Sequence, residues 1–412
     1  MSIFGELFLS ILTAVGGFVE MGELVFAVNA GAKFGTSLLW VIALGTLGII
    51  VFGEMAGRVA AVTKQPIFDW VRERAGFRVG LGTLIAANLV CLLTLTAEIG
   101  GIALVLRMLS GWPYRLFALL AFLALLGITW KFSFRWLERF FGLFGLLLVV
   151  FVIAAIRLEP DWSRVGSSFV PNLPQFGSVR DALTYAYFAI ALLSSVMLPF
   201  ETYFYASGAI EDGWQAREAR TNRIVVTVGF ALGAILSSSL LVTGAQLFHP
   251  AGIEPQWPGA AALGPATTLG STGLVLALLG MLFAFGGSAV ANALTGAYNL
   301  AQFLGWPWGK WRRPTGAPRF TLAWIAMLVI ASLIVLSGVN PVQIVEFAII
   351  FSVVILPLTY LPLLMAASDK RLMGPYASGW ISKTLGWFFL VLVSLAGLAA
   401  LPLMVITRGG RL

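Results

Sequence analysis

The chain has 412 residues, 59% of them hydrophobic and 11% charged, with a formal net charge of +8. A soluble domain carries about a quarter charged residues, so a water-facing globule is excluded. Apolar runs of about 20 residues recur along the whole length, each long enough to cross a hydrocarbon core of ~30 Å. They are continuous rather than alternating, which excludes a barrel and predicts helices.

Eleven membrane segments are predicted, at roughly 4–32, 36–62, 79–109, 115–131, 138–157, 180–209, 223–247, 270–303, 319–338, 341–366 and 381–406. The first run lacks the basic leader of a signal peptide and is read as a helix of the mature chain. With a cytoplasmic N-terminus, the inner loops hold seventeen Lys/Arg, among them Lys64, Arg72, Arg135 and Lys310, and the outer loops eight, among them Lys33 and Arg157. The positive-inside rule therefore favours that orientation, in a bacterial-type inner membrane. Because the basic residues set topology, the net charge does not point to nucleic acid. Cys91 is the single cysteine and lies in an apolar run; His249 is the single histidine and lies in a Pro/Gly-rich loop. No His/Cys metal cluster and no intramembrane histidine relay are available.

Segments 1 and 6 differ from the rest. Segment 1 contains Gly16-Gly17-Phe18-Val19-Glu20-Met21-Gly22-Glu23, and segment 6 contains Ser194-Ser195-Val196-Met197-Leu198-Pro199-Phe200-Glu201-Thr202. Paired Gly/Pro-interrupted helices in two halves of a chain point to an inverted-repeat carrier with a central site. Glu20, Glu23 and Glu201 unmatched at mid-membrane would together cost on the order of 8–10 kcal/mol. No lysine or arginine stands near the middle of a segment. A bound cation, a water-filled cavity or protonation must offset that cost, and protonated groups in structural hydrogen bonds are the plainer reading. Glu20, Glu23, Glu201, Ser195 and Thr202 form an all-oxygen set suited to hard ions. Glu98, beside Gly100-Gly101, and Asn292, on a small polar face with Gly286, Gly287 and Ser288, are candidates for a pathway or coupling role; packing is the alternative for both. Glu54 and Glu346 are expected to be solvated helix-end groups. No phosphate loop and no nucleophile–base pairing is present, so an enzyme is not predicted.

The stretch Phe18–Glu23 followed by Gly31–Val41 resembles segments 1 and 2 of the natural resistance-associated macrophage protein (Nramp) family of divalent-metal transporters. Ala97-Glu98-Ile99-Gly100 and Ser368–Gly374 resemble it too, and the spacing fits over nearly the whole chain. The resemblance implies a LeuT-type fold: two inverted five-helix repeats (about 1–157 and 178–366) with broken helices 1 and 6, plus a helix at about 381–406. Metal would bind between the broken helices.

Several positions depart from the family pattern. Its segment 1 Asp-Pro-Gly-Asn reads Glu20-Met21-Gly22-Glu23 here. Its segment 6 Met-Pro-His reads Leu198-Pro199-Phe200, followed by Glu201. Phe200 and Tyr205 replace histidines, and Leu95 replaces an acid tied to proton movement. The lost thioether and added carboxylate point to a harder ion, Mg²⁺ first and Mn²⁺ next, and to transport not strictly coupled to protons. The competing expectation is an organic-solute (amino acid or amine) carrier of the same fold. No cofactor is implied; the metal ion is cargo.

Overall fold

The computed structural model describes residues 20–171, 173–255 and 257–410, and among them there is no strand. Among the described residues, ten helical spans are long and apolar enough to cross a membrane. They match predicted segments 2 to 11. Segment 1 is represented by α1 (Met21–Phe34), whose 14 residues reach only about 21 Å at 1.5 Å per residue. Its other half, residues 4–19, lies outside the described residues.

The remaining helices are α2 (Leu39–Thr63), α3 (Ile67–Ser110), α4 (Tyr114–Lys131), α5 (Phe134–Arg157, interrupted by one 3₁₀ turn), α6 (Val179–Val196), α7 (Pro199–Glu211), α8 (Ala219–Leu247), α9 (Leu263–Phe303), α10 (Pro318–Leu336), α11 (Pro341–Ser368) and α12 (Trp380–Ile406). α6 and α7 are the two halves of predicted segment 6. Between them Met197 leaves the helix at φ −113°, ψ 49°, and Leu198 is extended at φ −67°, ψ 132°. Pro199 causes the break: its ring forbids helical geometry at the preceding residue, and it has no N–H to give, so it opens α7 at the first helical position.

A second matched pair of breaks was not foreseen. α3 turns at Gly76 (φ 78°) and α9 turns at Gly270 (φ 65°), left-handed values that favour glycine. Segments 3 and 8 were expected to begin at 79 and 270, but helix continues backwards through each glycine to 67 and 263. The third helix of each five-helix set thus enters through a bent leader, and the two leaders lie at opposite ends of the bundle.

Each end is tied by its own polar contacts. At one end Arg74 pairs with Asp369, Arg135 with Asp212, and Arg72 donates to the Phe303 carbonyl. At the other, Lys33 pairs with Glu254 and Thr36 meets Ser168. The first end carries the loops richest in Lys and Arg. One expectation fails there: Glu54 is not a solvated helix end. It is buried and held by both Arg58 Nε (2.7 Å) and Nη2 (2.9 Å). Arg58 also donates to the Tyr376 carbonyl and to Ser378 Oγ, so the pair braces α2 against the stretch before α12.

α1 packs on α8 with no side chain between them at the crossing. A Cβ on Gly31 would fall 2.0 Å from the Leu241 carbonyl oxygen, and one on Gly244 would fall 2.2 Å from that of Val28. Small residues allow this backbone contact, as at close crossings in membranes generally.

Candidate metal site

Glu20 at the start of α1 and Met197 and Leu198 between α6 and α7 lie inside the bundle, and the acidic residues gather around them. Glu20 is extended (φ −111°, ψ 176°) and stands just before the first turn of α1. Its carbonyl takes the first intrahelical bond, from Leu24 N–H. Glu23 lies in that first turn. The exposed backbone amides of a helix start need outside acceptors, and α3 supplies one: Met21 N–H donates to Glu98 Oε1 at 3.0 Å. Glu98 is thus held against the positive end of α1, where an acidic group is electrostatically favoured.

Glu20, Glu23 and Glu98 are fully buried, and Glu201 is 8% exposed. Ser288 Oγ donates to Glu20 Oε2 at 3.4 Å, and Ser195 Oγ donates to Glu23 Oε2. Among the described residues, each of the four carboxyl groups keeps one oxygen with no hydrogen-bond partner: Glu20 Oε1, Glu23 Oε1, Glu98 Oε2 and Glu201 Oε2. They lie within electrostatic reach of one another: Glu20 of Glu23, Glu98 of Glu20, and Glu201 of both Glu20 and Glu23. Leaving one buried acceptor unsatisfied costs about 1–3 kcal/mol, and more if it is charged. Four together, with no cationic side chain among their hydrogen-bond partners, suit a site that receives its positive charge from outside.

Gly22 keeps this site open. A Cβ there would lie 3.2 Å from Glu20 Oε1 and 2.7 Å from Ile349 Cδ1. Two thioethers near the breaks each rest against a glycine. The Met197 thioether rests where a Cβ of Gly48 would be, at 2.6 Å, and that of Met21 lies 3.1 Å from the corresponding point of Gly101. Leu198, at the expected thioether position, is fully buried.

Other expected site residues are placed differently. Thr202 donates its hydroxyl to the Pro199 carbonyl at 2.7 Å, a bond within the first turn of α7. Asn292 supports the cluster indirectly: its Nδ2 donates to the Ser288 carbonyl (3.0 Å) and hydroxyl (3.3 Å), fixing the serine that reaches Glu20. Ser288 itself was missed as a site residue. Its only sequence signal was the small polar face of segment 8, which packing explained equally well; Gly286 and Gly287 of that face do pack, against Phe141. Among the described residues no three His, Cys, Asp or Glu side chains are placed to grip one ion. Glu20, Glu23 and Glu201 therefore do not close on a single point in this conformation. The first two are held by serines, whereas Glu201 lines a separate cavity between α5, α7, α8 and α9.

The helices and their paired breaks define a multi-pass membrane carrier of LeuT-type fold. The chain matches the natural resistance-associated macrophage protein-like family over residues 10–402, and it belongs to that family. A divalent metal cation transporter MntH of Deinococcus radiodurans is 25% identical over 387 residues, covering 91% of this chain and 85% of its own. One of Ralstonia nicotianae is 26% identical over 400 residues, covering 93% and 87%. Among solved structures, a manganese transporter of Eremococcus coleocola superposes with a TM-score of 0.78 at 18% identity, over 99% of this chain and 93% of that one. MhsT in complex with L-phenylalanine superposes with a TM-score of 0.57 at 15% identity, over 97% and 98%, and shares the fold alone.

Proposed function

We propose that this chain is a secondary transporter of divalent metal cations that favours a hard ion, Mg²⁺ first and Mn²⁺ next, and is not strictly coupled to protons. The carrying observation is the set of four buried carboxyl groups, each with one unpartnered oxygen, around the breaks of two half-helices. Glu20 and Glu23 would hold the ion from one side and Glu201 would reach it after closure, with Ser195 and Ser288 orienting the first two. An all-oxygen donor set with leucine in place of a thioether favours hard ions. Its similarity to transporters named for divalent metals and for manganese supports the cargo class. The same carboxylates would repel the carboxylate of an amino acid, which argues against the organic-solute alternative. Residues 1–157 and 178–366 would act as the two repeats, moving about the site while α12 flanks them. The matched turns at Gly76 and Gly270 support that division.

Coupling by protons needs a chain of titratable groups leading from the site to water. Glu98, one of whose oxygens takes the Met21 amide, is a lone relay candidate, and Phe200, Tyr205 and Leu95 stand at the other positions. Transport would then be driven by the metal gradient and the membrane potential, worth about 2.3 kcal/mol per charge per 100 mV. The test is purified protein in liposomes loaded with a metal dye or a pH dye. Mg²⁺ and Mn²⁺ should enter faster than Cd²⁺, without matching acidification. Faster Cd²⁺ entry overturns the selectivity. Proton entry that scales with metal flux and vanishes in Glu98→Gln overturns the uncoupled reading.

A further inference from the structure

A cavity of opposite character opens at the end of the bundle that carries the basic loops. It lies between the last turn of α4, the first turns of α10 and the loop that leads into α10. Its volume is about 230 Å³, room for a phosphate group with part of its water. Three cationic side chains line it, Lys131, Lys310 and Arg312, and among the described residues no Asp or Glu does. None of the three takes part in a salt bridge among the described residues. Glu211 lies within electrostatic reach of Lys310, but its carboxylate is engaged by the Lys310 main-chain N–H and by Tyr298 OH.

A run of loop cations is usually just a solvated face, and two features set this pocket apart. Lys310 is drawn inward. Its ammonium lies 5.8 Å from the ring centroid of the buried Trp324 and donates to the Thr129 carbonyl near the end of α4. That bond answers the negative pole of α4, which would otherwise oppose an anion in the pocket. Burial lowers the Lys310 ammonium from its ordinary range, against the pull of Glu211, so an added anion would be met by a poorly solvated cation. The second feature is the wall. Trp130 lines one side and Phe320 and Trp324 the other, and this apolar surface runs on into the outer faces of both helices. α4 exposes Leu119, Leu120 and Leu123, and α10 exposes Leu322, Ile330 and Leu333. Only 22% of the α4 span and 39% of the α10 span is buried in the protein, so the bilayer covers the rest. A free anion would meet the cations and gain nothing from that surface. An anionic lipid would use both. Basic pockets between membrane helices take lipid headgroups in this way.

We propose that this pocket binds the headgroup phosphate of an anionic phospholipid through Lys131, Lys310 and Arg312, with the acyl chains lying along α4 and α10. Such a lipid would tie the loop before α10 to the end of α4, and it does not depend on which ion is carried. Full-length protein in detergent is titrated with phosphatidylglycerol or with phosphatidylcholine of the same acyl chains, and bound lipids are counted by native mass spectrometry. Wild type should hold one phosphatidylglycerol more tightly than any phosphatidylcholine. The double variant Lys131→Gln/Arg312→Gln removes two exposed cations of the pocket and should weaken that lipid by roughly tenfold or more. Arg220→Gln/Arg223→Gln removes two exposed cations from the start of α8, at the same end of the bundle, and should leave it in place. Excess inorganic phosphate should not displace it. Equal retention of the two lipids by wild type overturns the proposal, as does equal loss in both double variants. Displacement by inorganic phosphate overturns it too, and assigns the pocket to a free anion. If the pocket double variant does not yield monodisperse protein, Arg312→Gln alone replaces it, with the same results deciding.

Discussion

Glu23→Gln should stabilise the metal-free protein while abolishing its response to metal, an opposition of signs that a merely structural residue would not give. Glu23 is fully buried, one of its oxygens faces Ser195 Oγ and the other has no partner. Glu20, also with an unpartnered oxygen, lies within electrostatic reach. Glutamine keeps the shape and an acceptor for Ser195, and turns a donor toward the acceptors that lack one. Relieving a buried unsatisfied acceptor is worth about 1–3 kcal/mol, and that is the expected gain without metal. A ligand that binds only the folded state stabilises it by about 2.7 kcal/mol at a hundred times its Kd, and the variant should lose this term. Thermal unfolding in detergent, with and without Mn²⁺ or Mg²⁺, reads both changes. Wild type should shift upward with metal; the variant should start higher and stay put. A variant that starts lower and still shifts with metal would refute the assignment of Glu23.

Gly22→Ala places a methyl 3.2 Å from Glu20 Oε1, so the KM for Mn²⁺ uptake should rise roughly tenfold while the unfolding temperature barely moves, since the Ile349 end can yield. Leu198→Met restores a thioether at the break and should raise the Cd²⁺-to-Mg²⁺ flux ratio in proteoliposomes; an unchanged ratio would show that position 198 does not face the ion. Asp369, outside the membrane segments, has its carboxyl held below the usual range chiefly by its hydrogen bond from Arg74 (2.7 Å), with help from the Arg371 amide. A depressed carboxyl contributes stability above its ordinary range and loses it as pH falls through the folded value. Amide protection over residues 370–378, measured relative to the intrinsic exchange rate at each pH, should therefore fall on acidification in wild type, and Asp369→Asn should show the low protection at every pH.

The spans were legible because membrane helices announce themselves by length and apolarity, and the break of segment 6 because Pro199 forbids helix at Leu198. The bends at Gly76 and Gly270 were not, since glycine is common in membrane helices and a run of apolar residues does not say at which one φ turns positive. The acidic cluster was legible as a set of costs: carboxylates in an apolar run demand a reason. What each carboxylate does was not. Glu98 caps a helix start 77 residues away in sequence, and Ser288 reaches Glu20 across 268. Neither contact leaves a local pattern. Thr202 gives its hydroxyl proton to the Pro199 carbonyl of its own helix turn, a local bond that its spacing already allows. Glu54 was misjudged for want of a tertiary view, because Arg58 one turn later is drawn inward by Tyr376 and Ser378.

The glycine-to-carbonyl contact of α1 with α8 has a consequence for motion. Where two helices meet through side chains, rotamers can give way and let one slide along the other. Gly31 and Gly244 leave no such cushion, and each backbone is seated against the other's carbonyl oxygens. α1 and α8 should therefore travel as a single strut, with Lys33 and Glu254 closing the end away from the basic loops. Since Glu23 rides on α1, any stroke that swings this strut carries a carboxylate of the site with it, so opening that end of the bundle and reshaping the site become one event.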